Sequence, residues 1–267
     1  MTTAKPDGWV AYQWRRLKTG LVWVVFGAGA LALAGLWFPL LHLTARDAAS
    51  RRRLARRSIS ASFRFFIRLS GCLGVFDADT SALAPLARLK GAIVVANHPS
   101  LLDYVLLASA MPEVGCLVKS ALARNFFLKG VIRGADYFYN DTPETVIDDI
   151  TERLAQGESI LIFPEGTRTR PGEPLVLKRG VAQLAVRSRL PVQVVLIHAS
   201  ERWLCKGDAW HAIPRRRPGF RLEAGEALEP STFVEEGVPP SVAARRLTRH
   251  MTQLLSQGLL PQAETEP

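Results

Sequence analysis

Two short stretches of this chain combine residue types that do chemistry. One reads Asn97-His98-Pro99-Ser100-Leu101-Leu102-Asp103, the other Phe163-Pro164-Glu165-Gly166-Thr167-Arg168-Thr169. Histidine is the side chain poised to take a proton near neutral pH, and a carboxylate bonded to one ring nitrogen leaves the other as a base aimed outward. In a continuous helix, positions five apart point about 140° away from each other, which would separate His98 from Asp103. Pro99 removes that obstacle. It favours a turn with the helix starting just afterwards, so that Asp103 in the first helical turn reaches back to His98. In the second stretch Arg168 can hold a phosphate through paired hydrogen bonds, and Gly166 lets a ligand approach the main chain. Taken singly, each stretch also suits a plainer reading: a loop histidine beside a capping aspartate, and a solvated turn whose Arg–Glu pair carries little energy.

The elements that must position these residues alternate between apolar runs and amphipathic stretches. Ile93–Ala96, Cys116–Val118, Tyr137–Tyr139, Ile160–Phe163 and Val192–His198 read as strands, and Phe220–Leu228 as two edge pieces. Helices are expected over Ser100–Met111, Leu122–Lys129, Lys178–Arg189 and Ser241–Gln257, with a further one opened by Thr142-Pro143-Glu144 and closed at Gly157. The tail after Leu260 is expected to fray. Such alternation predicts an α/β fold with a mainly parallel sheet flanked by helices, and both motifs fall where a strand ends, the usual place for function in such sheets.

Together, in this order and separation, the two motifs resemble the glycerolipid acyltransferase family over roughly Lys90 to Leu228. Lys119 is similar to that family's lysine, and Leu177-Lys178-Arg179-Gly180 and Pro191-Val192 also fit. The resemblance implies an acyltransferase fold with N-terminal membrane-associated helices. It also implies an O-acyltransferase that moves an acyl group from acyl-CoA or acyl carrier protein to the hydroxyl of a lysophospholipid-type acceptor, 1-acylglycerol-3-phosphate first, in phospholipid biosynthesis. His98 would be the base and Asp103 its orienting partner. Asn97, Lys119, Glu165, Gly166, Thr167 and Arg168 would hold the substrate, and main-chain N–H groups after Pro99 would support an oxyanion. No cofactor is implied, and without a Gly-x-Ser-x-Gly elbow no covalent acyl-enzyme either.

One position departs from the family. Where a phosphate-holding arginine is common, Gly134-Ala135-Asp136-Tyr137-Phe138-Tyr139 ends in Asn140, which brings no charge. Lys206-Gly207-Asp208-Ala209-Trp210 with Ile213-Pro214-Arg215 resembles a bacterial subgroup associated with polyene-type lipids, so a different lipid acceptor stays open. So do a thioesterase using the same His/Asp pair and a non-catalytic lipid-binding protein.

The chain's charge points to a membrane. The net charge over 267 residues is +10, and residues 1–80 hold twelve Lys/Arg against four Asp/Glu, while the remainder is nearly balanced. From Thr19 to Ala45 no residue is charged. As a helix this run would extend about 40 Å, against roughly 30 Å of hydrocarbon. Residues 1–78 therefore read as a membrane anchor and 79–267 as the acyltransferase domain. The run is too long for a signal-peptide core and lacks a cleavage site, so it is expected to be retained. Lys5, Arg15, Arg16 and Lys18 precede it and Arg46, Arg51, Arg52, Arg53, Arg56 and Arg57 follow. Positive-inside logic then places the domain on the cytoplasmic face of the inner membrane, with a hairpin or tilted interfacial helix as alternatives to a span. A second helix carries Phe65, Phe66, Leu69, Cys72, Leu73 and Phe76 opposite Arg64 and Arg68; it either lies among headgroups or packs on the domain. Membrane lipids and the acyl carrier are the expected partners. Nucleic acid is not, since the arginines lack interleaved aromatics or a reading module. Three scattered cysteines suit a reducing compartment, and the histidines offer no metal constellation.

Overall fold

The computed structural model describes residues 6–140 and 143–258, apart from the side chains of 143–145. Lys5, the Thr142 cap and the tail after Leu260 lie outside the described residues. Three helices come first: α1 (Trp9–Ala32), α2 (Phe38–Thr44) and α3 (Ala48–Cys72). The body then runs β1 (Asp77–Asp79), β2 (Ile93–Ala96), α4 (Asp103–Ala110), β3 (Gly115–Val118), α5 (Lys129–Gly134), β4 (Phe138–Tyr139), α6 (Pro143–Ala155), β5 (Ile160–Ile162), α7 (Gly180–Ser188), β6 (Val192–Ala199), β7 (Gly219–Leu228) and α8 (Pro240–Leu255). These strands form one seven-stranded sheet in the order β1-β7-β6-β2-β5-β3-β4. All its pairings are parallel except β6 with β7.

The central strands read as unbroken apolar runs because both sheet faces are covered. Ile93 and Val95 point into a core shared with α7 and α8, whereas Val94 and Ala96 point into one shared with α3 and α4. That second core also takes in Val22, Ala30, Phe38 and Leu41 of the first two helices, so it continues across residue 78. A chain of aromatic rings runs through it. Trp23 and Phe26 of α1 meet Phe63 and Phe66 of α3, Phe63 meets Tyr104, and Phe66 leads through Phe76 to Trp203.

Several expectations are corrected here. The first helix starts at Trp9, well before the charge-free run, because Arg15 folds inward onto Asp7 and the Pro214 carbonyl, each within 2.7 Å. A π-turn at Leu33–Trp37 precedes Pro39 in α2, where the missing proline N–H interrupts α-helical bonding. Helix α5 packs against this turn through Gly130 and Gly134. A Cβ on Gly134 would lie under 3.0 Å from the Phe38 ring, so only glycine permits the approach. The helix expected over 122–129 is instead a 3-10 turn at Ser120–Arg124 followed by α5. Asn125 breaks it by accepting from the N–H groups of Phe127 and Leu128. Phe220–Leu228 is one continuous strand inside the sheet, its outer side covered by the short β1, which the sequence reading did not find.

Helix α3 packs on the domain. Phe63 and Phe66 point inward while Phe65 and Cys72 are exposed, so the inner face is rotated from the expected stripe. Two of the six arginines are buried as well. Arg56 donates to Glu158 Oε2 (2.7 Å) and to the Ala135 carbonyl (3.0 Å), and Arg52 to Glu158 Oε1 (2.9 Å). Arg153 joins Glu158 to Asp136. The sequence placed all six arginines at a lipid surface; these two instead lock α3 to the body.

Candidate active site

The end of β2 and the start of α4 bring the first motif together. His98 Nδ1 lies 2.7 Å from Asp103 Oδ2, which also accepts the Ser100 N–H at 2.8 Å. Asp103 is fully buried and its Oδ1 has no partner among the described residues. Burial pushes its pKa up, and the hydrogen bond and charge of His98, the Ser100 N–H and Arg168 act against that. The carboxylate reading fits this geometry, because one oxygen accepts from two donors and Nδ1 then carries the proton. Nε2 makes no hydrogen bond among the described residues. The imidazole stacks on Phe163, the residue after β5, at 4.1 Å between ring centroids.

The second motif buttresses the first. Glu165 is buried; Oε1 accepts the main-chain N–H of His98 at 2.7 Å and Oε2 accepts the Thr169 hydroxyl. Burial raises its pKa, opposed by Thr169 and by His98. Each Glu165 oxygen accepts one hydrogen bond from the protein, which ties the carboxylate to the His98 main chain and to Thr169. The Asn97 amide is buried, accepting from Ile197 N–H and donating to the Ile197 and Gly258 carbonyls. Arg168 directs Nη1 to the carbonyls of Leu204 (2.7 Å) and Cys205 (3.1 Å). Gly166 has φ +69°, and Lys178 Nζ lies 2.8 Å from where a Cβ would stand, so a side chain there would be strained and would collide with that ammonium group. Thr167 is half-buried and makes no side-chain hydrogen bond among the described residues. Lys119 is exposed before the Ser120–Arg124 turn; partial burial, then Lys178, Lys206 and Arg168, lower its pKa.

The expected oxyanion donors are not free. Ser100 N–H bonds Asp103, Leu101 N–H the Leu204 carbonyl (3.0 Å), and Leu102 N–H the Ser100 hydroxyl (3.3 Å). That hydroxyl in turn donates to the Trp203 carbonyl at 3.1 Å, which leaves Ser100 unsuited as a nucleophile. Burial pushes Cys116 up to about 12 and Cys205 up to about 11, so neither is a thiolate at neutral pH. Among the described residues no group of three metal-binding side chains converges. A cleft of about 320 Å³ opens beside His98, walled by Glu165 and the 169–174 loop. The loop Trp203–Asp208, bonded to Leu101 N–H, the Ser100 hydroxyl and Arg168, was not read from the sequence as a neighbour of the histidine turn. The signal available in the sequence was the Lys206-Gly207-Asp208 stretch that carries the subgroup resemblance.

Residues 80–198 match the family model described as Acyltransferase. The human 1-acyl-sn-glycerol-3-phosphate acyltransferase beta is 34% identical over 120 residues, 42% of this chain and 42% of that protein. The 1-acyl-sn-glycerol-3-phosphate acyltransferase of Cocos nucifera is 30% identical over 108 residues, 38% of this chain and 35% of that protein. The chain thus spans less than half the length of these relatives. The crystal structure of the 1-acyl-sn-glycerophosphate (LPA) acyltransferase PlsC from Thermotoga maritima superposes with a TM-score of 0.63 at 22% identity, covering 92% of this chain and 97% of that one. At that identity the likeness is one of fold.

Proposed function

We propose that this chain, whose residues 80–198 match the Acyltransferase family model, transfers an acyl group from a thioester, coenzyme A or acyl carrier protein, to the free hydroxyl of a lysophospholipid, with 1-acylglycerol-3-phosphate as the first candidate. The observation that carries the reading is the His98–Asp103 pair: a 2.7 Å contact, a buried carboxylate and an Nε2 with no hydrogen-bond partner among the described residues.

The acceptor hydroxyl gives its proton to His98 Nε2 as its oxygen attacks the thioester carbonyl. Asp103 holds the ring and stabilises the imidazolium, Glu165 fixes the His98 main chain, and Phe163 supports the ring from below. Collapse of the tetrahedral intermediate expels the thiolate, which recovers the proton. General-base help of this kind contributes about 10²–10⁴-fold. The hydroxyl attacks directly, in keeping with the engaged Ser100 and the neutral thiols.

The apolar run supports a membrane setting for the reaction. The helical stretch Trp9–Thr44 is long and apolar enough to cross a bilayer. Yet it lies along the body: Tyr12 and Arg15 bond the carbonyls of Ile213 and Pro214 near one end, and Phe38 packs on α5 near the other. This favours a helix lying in one leaflet, its outer face of Leu17, Leu21 and Val24 in lipid and the site on the cytoplasmic side of the inner membrane.

The test is thiol release from acyl-CoA by membranes carrying the protein, with and without lysophosphatidic acid, beside a His98→Ala control. Release that needs both acceptor and His98 is the expected result. Release without any acceptor would make the protein a thioesterase, and full activity in His98→Ala would remove the base assignment.

A further inference from the structure

Strand β2 ends at Ala96, and the next residue keeps hold of the sheet with its side chain. Side chains alternate between the faces of a strand, so Asn97 points, like Ile93 and Val95, toward the α7 and α8 side. There Nδ2 donates to the Ile197 carbonyl and Oδ1 accepts the Ile197 N–H, both at 2.8 Å. Ile197 lies beyond the last β2–β6 pair, Ala96 with Val195, so the amide continues the ladder after the main chain has turned away. The second Nδ2 hydrogen goes to the Gly258 carbonyl at 3.0 Å, 161 residues further along the chain. The reverse amide orientation would set an oxygen against two carbonyls, so these partners admit one setting.

Gly258 closes the turn Ser256–Gly258 that follows α8, and Leu247, Met251 and Leu255 bury that helix against the sheet. A Cβ on Gly258 would lie 2.7 Å from Nδ2 and 3.0 Å from Cγ and Oδ1 of Asn97. The amide cannot swing aside to make room, because it is buried and bonded to main chain on two elements. His98 comes next in the chain, and its own N–H is held by Glu165. The backbone of the base is thus fixed by two buried side chains, and one of them is set by the end of α8.

We propose that the turn closing α8 is part of the frame of the active site, with Gly258 and Asn97 as positioning residues that set the place of His98. This rests on the acyltransferase reading of His98, and it extends the site to a segment outside both motifs and outside the matched residues 80–198. A methyl group on Gly258 pushes the Asn97 amide, and the shift passes through one peptide unit to the base. Misplacing a catalytic group by about 1 Å costs on the order of 10²-fold in rate, so a shift of part of that should cost roughly tenfold.

The experiment is a double-variant cycle on the full-length protein: Gly258→Ala, Asn97→Ala and the two combined, with Gln257→Ala, an exposed neighbour, as control. Acceptor-dependent thiol release is measured well below each melting temperature, and kcat is separated from the acceptor KM. Gly258→Ala should lower kcat roughly tenfold with KM nearly unchanged, and Gln257→Ala should match wild type. The combined variant should be no slower than Asn97→Ala alone, because no amide remains for the methyl group to displace. The proposal is overturned if Gly258→Ala keeps the wild-type kcat, if Gln257→Ala falls equally, or if the combined loss is the product of the single losses. A raised KM at unchanged kcat in Asn97→Ala would also overturn it, giving that side chain to the substrate. Should Gly258→Ala fail to fold, equal kcat in Asn97→Ala and the combined variant remains the expected result and a further loss the refuting one. A second readout needs no turnover: the ring N–H signal of His98 in protein carrying isotope-labelled histidine, identified by its loss in His98→Ala. That signal should move in Gly258→Ala and coincide in Asn97→Ala and the combined variant. This pattern without ester formation by wild type would keep the frame and reject the transfer reaction, whereas an unmoved signal would reject the frame.

Discussion

Replacing Asp103 by asparagine separates the carboxylate's charge from its geometry. In the structure one oxygen, Oδ2, accepts both His98 Nδ1 and Ser100 N–H, and the other is buried without a partner. An asparagine that puts its carbonyl oxygen in the Oδ2 position keeps both bonds; the reverse orientation sets an amide N–H₂ against two donors. Each lost hydrogen bond in such a site costs about 1–3 kcal/mol, so the first orientation wins and the histidine tautomer is preserved. What disappears is the charge. Two unit charges about 4 Å apart attract by about 4 kcal/mol at an effective dielectric of 20. With the proton about half transferred, about 2 kcal/mol is lost at the transition state, or roughly thirtyfold in rate. Inverting the tautomer costs about 10⁴-fold in Ser-His-Asp enzymes, a clearly different outcome. Because burial raises the Asp103 pKa, the ionised carboxylate costs stability as pH rises through that value, and a neutral amide relieves this cost. Asp103→Asn should therefore melt within about 4 °C of wild type. Initial rates of acceptor-dependent thiol release, beside a melting curve, give both numbers. A loss near 10⁴-fold at unchanged melting temperature would refute the retained tautomer; an unchanged rate would refute the use of the charge.

Three further outcomes are expected. Glu165→Gln keeps an acceptor for His98 N–H and should hold activity within about tenfold, whereas Glu165→Ala frees the histidine backbone and should lose about 10²-fold, read from the same rates. Glu158→Gln leaves Arg56 without its counter-charge and Arg52 with Asp136 alone, 3.6 Å away, and should cost about 3 kcal/mol, a melting shift on the order of 6–12 °C. Burial pushes Glu158 up, but Arg56 and Arg52 outweigh it and hold its pKa below the ordinary 4.5, so its stabilisation is present above that pH and lost as pH falls through the lowered value; thermal melts against pH should show the wild-type loss and not show it in Glu158→Gln. Gly134→Ala drives a methyl group into Phe38 and should destabilise by about 1–3 kcal/mol in urea unfolding.

The parts of the site that were legible in the sequence are those held by local spacing. Pro99 between His98 and Asp103 restricts the chain to a turn, and a strand running straight into Glu165 places that residue at a sheet end; both follow from short-range rules. Glu165 as a support for His98 was not legible, since that bond spans two strands adjacent only in the folded sheet. Arg52 and Arg56 misled for the same reason. A cluster of arginines after an apolar run is ambiguous until its counter-charge is found, and Glu158 lies about a hundred residues away. The rotation of α3 was hidden because phenylalanines occur on several of its faces, and only packing against α1 and α4 selects Phe63 and Phe66. Asn125 shows the converse: a single side chain outcompetes a helix that the surrounding residues would support.

The ring chain through the N-terminal helices bears on how the protein can be cut. Apolar N-terminal segments are routinely trimmed to obtain a soluble enzyme, on the premise that a tether is separable from what it tethers. Removing residues before α3 would here take Trp23 and Phe26 off Phe63 and Phe66, whose other neighbours are Tyr104, next to Asp103, and Phe76, leading to Trp203. A generic apolar helix fused in its place would not restore these contacts. Exchanging α1 through α3 as a set would keep the rings of α1 on those of α3 but would still part Phe63 from Tyr104 and Arg52 and Arg56 from Glu158, so the three helices and the body are one packed unit with no neutral joint between them.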